Sequence, residues 1–239
     1  MCTVSIFPGE ENSNSFLLSF NRDEAVNRRT FAPTMHYVNG CEMIFPKDAV
    51  AGGTWLGVSD KKRLVGIMNG EFKAHKRNPP YQKSRGVIVK EFLAAEAVKA
   101  YAENYDFKGI EPFTMLCADW SLGLVITEMV WDAKQLHLRN IPLKPQIWSS
   151  SPLYDSEMKK QRENWFDDFR RNNEITAEKV WDFHHKAGIG DQHIDLIIDR
   201  GFLKTQSISQ IEISENRKQF RYEELATGNI EILSLDHLV

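Results

Sequence analysis

Two short apolar runs open the chain, Met1-Cys2-Thr3-Val4-Ser5-Ile6-Phe7 and Ser15-Phe16-Leu17-Leu18-Ser19-Phe20, and the polar segment 9–14 separates them. Apolar runs on either side of a Gly/Asn/Ser turn predict a β-hairpin. In an antiparallel hairpin, residues equally far from the turn lie opposite each other. The turn centres near residue 11, so Cys2 should face a residue near position 20. This register places Asn21-Arg22-Asp23-Glu24 beside Cys2.

Cys2 occupies a position at which it can become the first residue of the mature chain. Cys is small enough for the initiator Met to be removed, and Cys2 would then carry both a thiol and a free α-amine. Such an amine has a pKa of roughly 8, so it can take the thiol proton and later hand one to a leaving group. Arg22 would favour the thiolate, and Asp23 would orient Arg22 or hydrogen-bond the amine. The alternative is an ordinary strand cysteine beside a solvated loop.

Several motifs follow one another along the first part of the chain. They are Met1–Ser5 (MCTVS), Asn21–Glu24 (NRDE), Arg29-Thr30, Ala51–Gly57 (AGGTWLG) and Ser84-Arg85-Gly86. With these motifs the sequence resembles the NRDE family, also called the transport and Golgi organisation protein 2 family, over about the first ninety residues. That family itself resembles N-terminal nucleophile hydrolases of the choloylglycine hydrolase and penicillin V acylase type. The resemblance implies an α+β fold, a four-layer αββα sandwich of two antiparallel sheets.

The hydrophobic patterns along the chain agree with that architecture. Helical spacing predicts one or two helices between about 86 and 105 and a pair over 155–173 and 176–186, with strands before, between and after them. We expect 25–46 to be irregular because it contains Pro33, Asn39-Gly40 and Pro46. We also expect the strand 146–149 to continue the sheet formed by the strands just before it.

The resemblance assigns further site residues. In the choloylglycine group, a strand that corresponds to Arg63–Gly70 ends in an Asn whose amide stabilises the oxyanion, and Asn69 matches that position. Such donors typically contribute a hundredfold or more to the rate, although Asn-Gly also simply makes a turn. Those enzymes have a second functional Asn where this chain has Ser150, whose hydroxyl still donates one hydrogen bond but is shorter than an amide. The predicted catalytic residues are Cys2, Arg22, Asp23, Asn69, Asn21 and Ser150.

The spacing of Arg22 and Asp23 departs from the choloylglycine pattern. That pattern separates its Arg and Asp by two residues, whereas Arg22 and Asp23 are adjacent. Neighbouring residues of a strand point to opposite faces of the sheet. Both side chains therefore reach Cys2 only if the strand breaks between them.

Composition excludes several classes of protein. The chain has 239 residues, which predicts a single domain over 1–239. Its net charge of −3 argues against a nucleic-acid surface. No apolar run is long enough to span a bilayer, and no secretory signal is evident. Three scattered cysteines form neither a disulfide framework nor a zinc site, and they suit a reducing cytoplasm. The histidines His184, His185 and His193 lack metal-site spacing, so we expect no metal and no cofactor.

Two main functions remain open at this point. The first is an N-terminal cysteine amidohydrolase that cleaves a linear C–N amide bond of a small molecule. The second is a non-catalytic haem or acyl-lipid binding or trafficking protein on the same fold, because eukaryotic members of the family are linked to haem trafficking and lipid metabolism. A purely structural role is a third possibility. The sequence identifies neither the substrate nor the oligomeric state.

Overall fold

The computed structural model describes residues 2–10 and 13–239. The α+β class and the two antiparallel sheets are confirmed. The six-stranded sheet has the order β10-β1-β2-β11-β12-β13, and the seven-stranded sheet has the order β3-β4-β5-β6-β7-β8-β9. The strands are β1 (Cys2–Pro8), β2 (Phe16–Ala25), β3 (Thr30–Val38), β4 (Cys41–Asp48), β5 (Leu56–Ser59), β6 (Arg63–Asn69), β7 (Phe113–Asp119), β8 (Val125–Trp131), β9 (Leu136–Asn140), β10 (Gln146–Ser149), β11 (Leu203–Ile213), β12 (Lys218–Glu224) and β13 (Asn229–Ser234).

Four helices fall where the sequence predicts them. They are α1 (Arg85–Ala94), α2 (Val98–Asn104), α3 (Ser156–Asn172) and α4 (Ala177–Lys186). The Thr176 side chain caps α4 by accepting a hydrogen bond from the Lys179 amide. Asp155 caps α3 in the same way, through the amide of Met158.

The chain divides into two compact units. The first unit comprises Met1–Asn27 and Leu143–Leu235, and the second comprises Arg28–Pro142 and Asp236–Val239. Each unit contains one sheet and one pair of helices. The chain leaves the first unit after β2 and returns to it before β10, so the first unit is assembled from both ends of the sequence. The single domain over 1–239 stays a prediction.

The N-terminal hairpin forms as predicted. β1 and β2 are antiparallel neighbours, and Cys2 lies opposite Arg22. This is two residues from the position expected from the centre of the turn. The amide of Gly9 donates to the carbonyl of Ser15 over 2.8 Å at the base of the turn. Residues 11 and 12 of that turn lie outside the described residues.

Aromatic and aliphatic side chains hold the helices of the first unit on its sheet. Phe166 of α3 packs 5.1 Å from Phe7 of β1, measured between ring centroids. Phe183 of α4 joins the same cluster. The buried members of this cluster are Phe7, Leu17, Phe166, Val180, Phe183 and Leu196. One face of the first sheet is therefore covered by α3 and α4.

The prediction that residues 25–46 are irregular is wrong. β3 and β4 form a hairpin in this segment, and Asn39 and Gly40 make its turn with φ of 53° and 77°. Pro33 is tolerated because β3 is an edge strand whose pairing shifts register between Phe31 and Thr34. The turn and breaker residues thus mark a hairpin and a bulge.

The expected continuation of the second sheet through 146–149 is also wrong. β10 pairs with β1 in the first sheet, where Thr3 lies opposite Ser149. Pro142 and Pro145 lie between β9 and β10, and proline cannot donate to a ladder of hydrogen bonds. The chain therefore ends β9 and crosses to the other sheet.

Two glycine motifs of the sequence meet in the second unit. The amide of Thr54 donates to the carbonyl of Gly86 over 3.0 Å. A Cβ on Gly53 would lie 2.5 Å from the carbonyl carbon of Gly86, which is closer than real Cβ contacts. The AGGTWLG segment and the start of α1 can therefore approach this closely only because both positions are glycine.

We expect Gly53→Ala to lower the free energy of unfolding by about 2–3 kcal/mol, because the added methyl meets backbone atoms that cannot rotate away. Gly228→Ala is the control. Gly228 has a φ of +69°, and no atom lies within 4 Å of the place that a Cβ would take there, so its loss should be only about 1 kcal/mol. Urea unfolding of the two variants measures both losses, and an equal or smaller loss for Gly53→Ala would contradict the close contact.

Candidate functional site

The two faces of the first sheet carry different side chains at its Cys2 end. Thr3 lies opposite Asn21, and the Asn21 side chain reaches α4, so both face the helices. Cys2 and Arg22 are the next pair along the strands. Because side chains alternate along a strand, Cys2 and Arg22 lie on the face opposite α3 and α4.

Ser150 is the next neighbour of Cys2 across the sheet. The amide of Ser150 donates to the carbonyl of Cys2 over 3.0 Å. Since Thr3 is paired with Ser149, Ser150 follows the last residue of β10 and lies beside Cys2. Ser150, Cys2 and Arg22 are all buried. The structure thus brings three of the predicted site residues into one row across β10, β1 and β2.

The Cys2 thiol is strongly desolvated in the chain that carries Met1. Cys2 is only 3% exposed. Burial raises the pKa of its thiol to about 11, whereas the positive charge of Arg22 acts to lower it. The expected influence of Arg22 is therefore present, but desolvation is the larger effect and the net direction is upward. In the chain that carries Met1, the nitrogen of Cys2 is part of a peptide bond. It becomes an amine that can take the thiol proton only after Met1 is removed.

Arg22 and Asp23 do not share a face. β2 runs unbroken from Phe16 to Ala25, so the condition under which both side chains would turn toward Cys2 is not met. On the Cys2 face, a nitrogen of Arg22 lies 3.8 Å from a carboxylate oxygen of Glu24. Asp23 points to the helix face instead.

Asp23 is completely buried and receives two hydroxyl donors. The Tyr154 hydroxyl donates to its Oδ2 over 2.7 Å, and the Thr205 hydroxyl donates to its Oδ1 over 2.8 Å. Burial raises the pKa of Asp23, while the charge of Arg162 and the two hydroxyl donors act in the opposite direction. A register shift in β11 between Thr205 and Ser207 makes this arrangement possible. It places Thr205 opposite Asp23, and Ser207 opposite Arg22.

The side chain of Asn21 in β2 forms hydrogen bonds with α4 and with the segment that follows α4. Its side-chain nitrogen donates to the carbonyls of His184 and Leu196 over 3.0 and 2.8 Å. Its oxygen lies 2.6 Å from Nδ1 of His184, whose Nε2 is 2.7 Å from the Ser5 hydroxyl. Asn21 therefore faces away from Cys2 and makes structural contacts on the helix side.

Asn69 is the last residue of β6 in the second unit, where it pairs with Phe113. Its side chain is half-buried. Gly70 follows with a φ of +86°. The predicted strand is confirmed, and the amide of Gly70 donates to the carbonyl of Pro112 over 3.0 Å. The catalytic role of Asn69 stays a prediction.

Of the three histidines considered as metal ligands, His184 and His185 have side-chain partners in the first unit. His184 is bonded to Ser5 and Asn21. His185 lies 2.7 Å from a carboxylate oxygen of Glu223. Within the described ranges 2–10 and 13–239, no group of three or more His, Cys, Asp or Glu side chains could hold a metal ion. None of the helices in that part of the chain is long and apolar enough to cross a membrane.

Sequence reasoning missed three residues around Asp23, namely Tyr154, Arg162 and Thr205. Tyr154 and Thr205 are 131 and 182 positions away from Asp23 in the chain. No local motif connects such distant positions. The sequence offered one weak signal, the position of Arg162 on the otherwise apolar side of α3. An arginine at such a position is buried and therefore requires polar partners.

We expect acid to destabilise the fold through His184. Burial lowers its folded pKa from 6.5 to about 3, so between these values only the unfolded chain takes up the proton. The contribution of His184 is complete above pH 6.5 and is lost as the pH falls toward 3. Urea unfolding at pH 7 and pH 5 should show a smaller loss for His184→Gln than for the wild type. The exposed His193 supplies the control His193→Gln, and an unchanged pH dependence in His184→Gln would contradict this assignment.

Solved structures share this fold at low sequence identity. Penicillin V acylase from Agrobacterium tumefaciens superposes with a TM-score of 0.61 at 13% identity, over 98% of this chain and 86% of the acylase. A variant of conjugated bile acid hydrolase from Clostridium perfringens gives 0.63 at 10% identity, over 100% and 94%. The Caenorhabditis elegans ortholog of N-acylethanolamine-hydrolyzing acid amidase gives 0.56 at 8% identity, over 88% and 92%. This likeness confirms the predicted N-terminal nucleophile hydrolase fold.

Curated relatives match part of the chain. The Transport and Golgi organization 2 homolog of Mus musculus is 28% identical over 125 residues, which are 48% of this chain and 42% of the mouse protein. The homolog from Bos taurus gives the same identity and coverage. The match thus spans less than half the length of these relatives. The model of the family Transport and Golgi organisation 2 matches residues 1–222, and the chain therefore belongs to this family.

Proposed function

We propose that this protein is an N-terminal cysteine amidohydrolase that cleaves a linear C–N amide bond of a small molecule. The observation that carries the proposal is the position of Cys2. It begins β1, it lies directly opposite Arg22, and Ser150 contacts its main chain from the other side. The fold shared with an acylase, a bile acid hydrolase and an acid amidase supports the same chemistry.

The proposed reaction uses two groups of Cys2, its thiol and its α-amine. After removal of Met1, the α-amine takes the thiol proton and the thiolate attacks the amide carbonyl. The resulting ammonium returns the proton to the leaving amine as the C–N bond breaks, which leaves a thioester on Cys2. Water then cleaves the thioester and restores the thiol. Arg22 stabilises the thiolate by its positive charge.

Removal of Met1 is the step that makes this chemistry possible. A thiol with a pKa of about 11 is almost entirely protonated at neutral pH. Exposing the α-amine supplies a base next to the thiol, and its protonated form favours the thiolate. The chain that keeps Met1 is therefore inactive in this proposal.

The competing haem or acyl-lipid carrier rests on the family resemblance alone. His184 and His185 are engaged in hydrogen bonds with protein groups. Loss of Met1 together with fast Cys2 chemistry favours the hydrolase over the carrier.

Selective reactivity of Cys2 provides the first test. We expect intact-mass and peptide mapping to show loss of Met1 and faster iodoacetamide labelling of Cys2 than of Cys41 or Cys117. The latter two thiols are buried, and their pKa values are raised to about 11 and about 12. A chain with an N-terminal tag that keeps Cys2 internal is the control and should lose the rapid labelling. Equal labelling of the three thiols in the untagged chain would overturn the proposal.

Turnover then tests the individual residues. On penicillin V, a conjugated bile acid, an N-acylethanolamine and further linear amides, we expect hydrolysis that Cys2→Ala abolishes and Cys117→Ala leaves intact. Asn69→Ala should reduce the rate about a hundredfold, as is typical for the loss of one oxyanion donor. Ser150→Asn should raise the rate over wild type, because the longer amide restores the donor that the related enzymes have. Hydrolysis that survives Cys2→Ala would exclude Cys2 as the nucleophile.

A further inference from the structure

We infer that Tyr154 is a positioning residue for the terminal amine: with Asp23 it forms the polar site that receives the α-ammonium group of Cys2 when Met1 is removed. This inference rests on the proposed exposure of Cys2 as the N-terminal residue. It concerns the binding of the ammonium group and does not depend on which amide is cleaved.

The position of the Tyr154–Asp23 hydrogen bond is the first argument. β1 lies between β10 and β2 in the sheet. Tyr154 follows β10 and Asp23 belongs to β2, so their 2.7 Å hydrogen bond connects the two neighbours of β1. Cys2 is paired with Arg22, and Asp23 therefore lies one residue beyond the start of the described part of β1. The hydrogen bond crosses the sheet at the end of the strand where the mature N-terminus begins.

Main-chain contacts tie Tyr154 to Cys2. The amide of Tyr154 donates to the carbonyl of Ser150 over 3.1 Å, and the amide of Ser150 donates to the carbonyl of Cys2 over 3.0 Å. Tyr154 thus ends a short turn whose first residue is bonded to Cys2. The backbone of Tyr154 is therefore connected to that of Cys2 through Ser150.

Arg162 fixes the ring of Tyr154 from the other side. The carbon of its guanidinium group lies 3.5 Å from the ring centroid, a cation–π contact in a desolvated setting. The guanidinium group also donates to the hydroxyl of Thr3, the residue after Cys2, and its Nε donates to the carbonyl of Ile194 over 2.8 Å. Arg162 is 1% exposed. The positive charge of Arg162 therefore acts on Tyr154, Asp23 and the start of β1, and it is shielded from solvent.

The donors around Asp23 favour its ionised form in a fully buried place. Each carboxylate oxygen accepts one hydroxyl, from Tyr154 and from Thr205, and hydrogen bonds to a carboxylate stabilise the charged state. Burial acts against this by raising the pKa of Asp23, and the charges of Arg162 and of a terminal ammonium group lower it. The ionised carboxylate and an ammonium group at the end of β1 therefore stabilise each other. The thiol proton then resides on the α-amine, and the S–H bond is exchanged for an N–H bond without any other reactant.

Selective labelling makes this proton distribution measurable. The chain contains three cysteines, so [13C]cysteine labelling gives signals for Cys2, Cys41 and Cys117 only. We expect the Cα signal of Cys2 in the mature protein to show an inflection on the acid side that reports Asp23, and Asp23→Asn should abolish it. Tyr154→Phe should move this inflection upward by about one pH unit, because one hydrogen bond to the carboxylate is lost. The control Tyr101→Phe changes a tyrosine of the second unit and should leave it unchanged.

The outcomes separate this inference from the proposed hydrolase function. An inflection that Tyr154→Phe leaves in place, in a protein that hydrolyses amides, overturns the role of Tyr154 and keeps the hydrolase. A shifted inflection in a protein without amide turnover supports the role of Tyr154 and removes the hydrolase. An inflection that persists in Asp23→Asn overturns the inference, since the titrating group is then not Asp23. A general loss of stability in Tyr154→Phe would not move the inflection of the folded protein.

Discussion

The antiparallel register of β1 on β2 is the constraint on which the rest of the first unit depends. It places Cys2 opposite Arg22 and Thr3 opposite Asn21. Because side chains alternate along a strand, this register divides the four residues Asn21–Glu24 between the two faces of the sheet. A shift by one residue would exchange the two faces. Asn21 and Asp23 would then leave the helices, and Arg22 would lose its place beside Cys2.

The face of the first sheet that α3 and α4 cover contains many side-chain hydrogen bonds because several polar groups are buried there. Asn21, Asp23, Arg162 and His184 are all buried there, and each unsatisfied polar group would be expensive in such a place. Donors and acceptors from distant parts of the chain form hydrogen bonds with these groups. Among them are the Thr205 and Tyr154 hydroxyls and the carbonyl of Leu196. The same contacts that satisfy these groups hold α3, α4 and β11 on the hairpin. Stability and the proposed placement of the terminal amine therefore depend on one network.

In the second unit, two short glycine motifs of the sequence lie against each other. These glycine motifs allow two segments of the backbone to approach closely. Gly53 and Gly86 allow the segment before β5 to lie against the start of α1, with a main-chain hydrogen bond between Thr54 and Gly86. Motifs that are separated by about thirty residues in the chain thus form one contact. Gly53 and Gly86 thus meet one packing requirement together.

The sequence by itself determined the elements whose signals are local. These include the N-terminal hairpin, the helices, the strand that ends at Asn69, and the α+β class. It also placed Asn21–Glu24 beside Cys2, because a hairpin register follows from the turn between the strands. Tertiary structure alone decided which sheet β10 joins. It also brought Tyr154, Arg162 and Thr205 to Asp23. These choices depend on pairing between segments more than a hundred residues apart, and no periodicity or motif within a single segment records such a pairing.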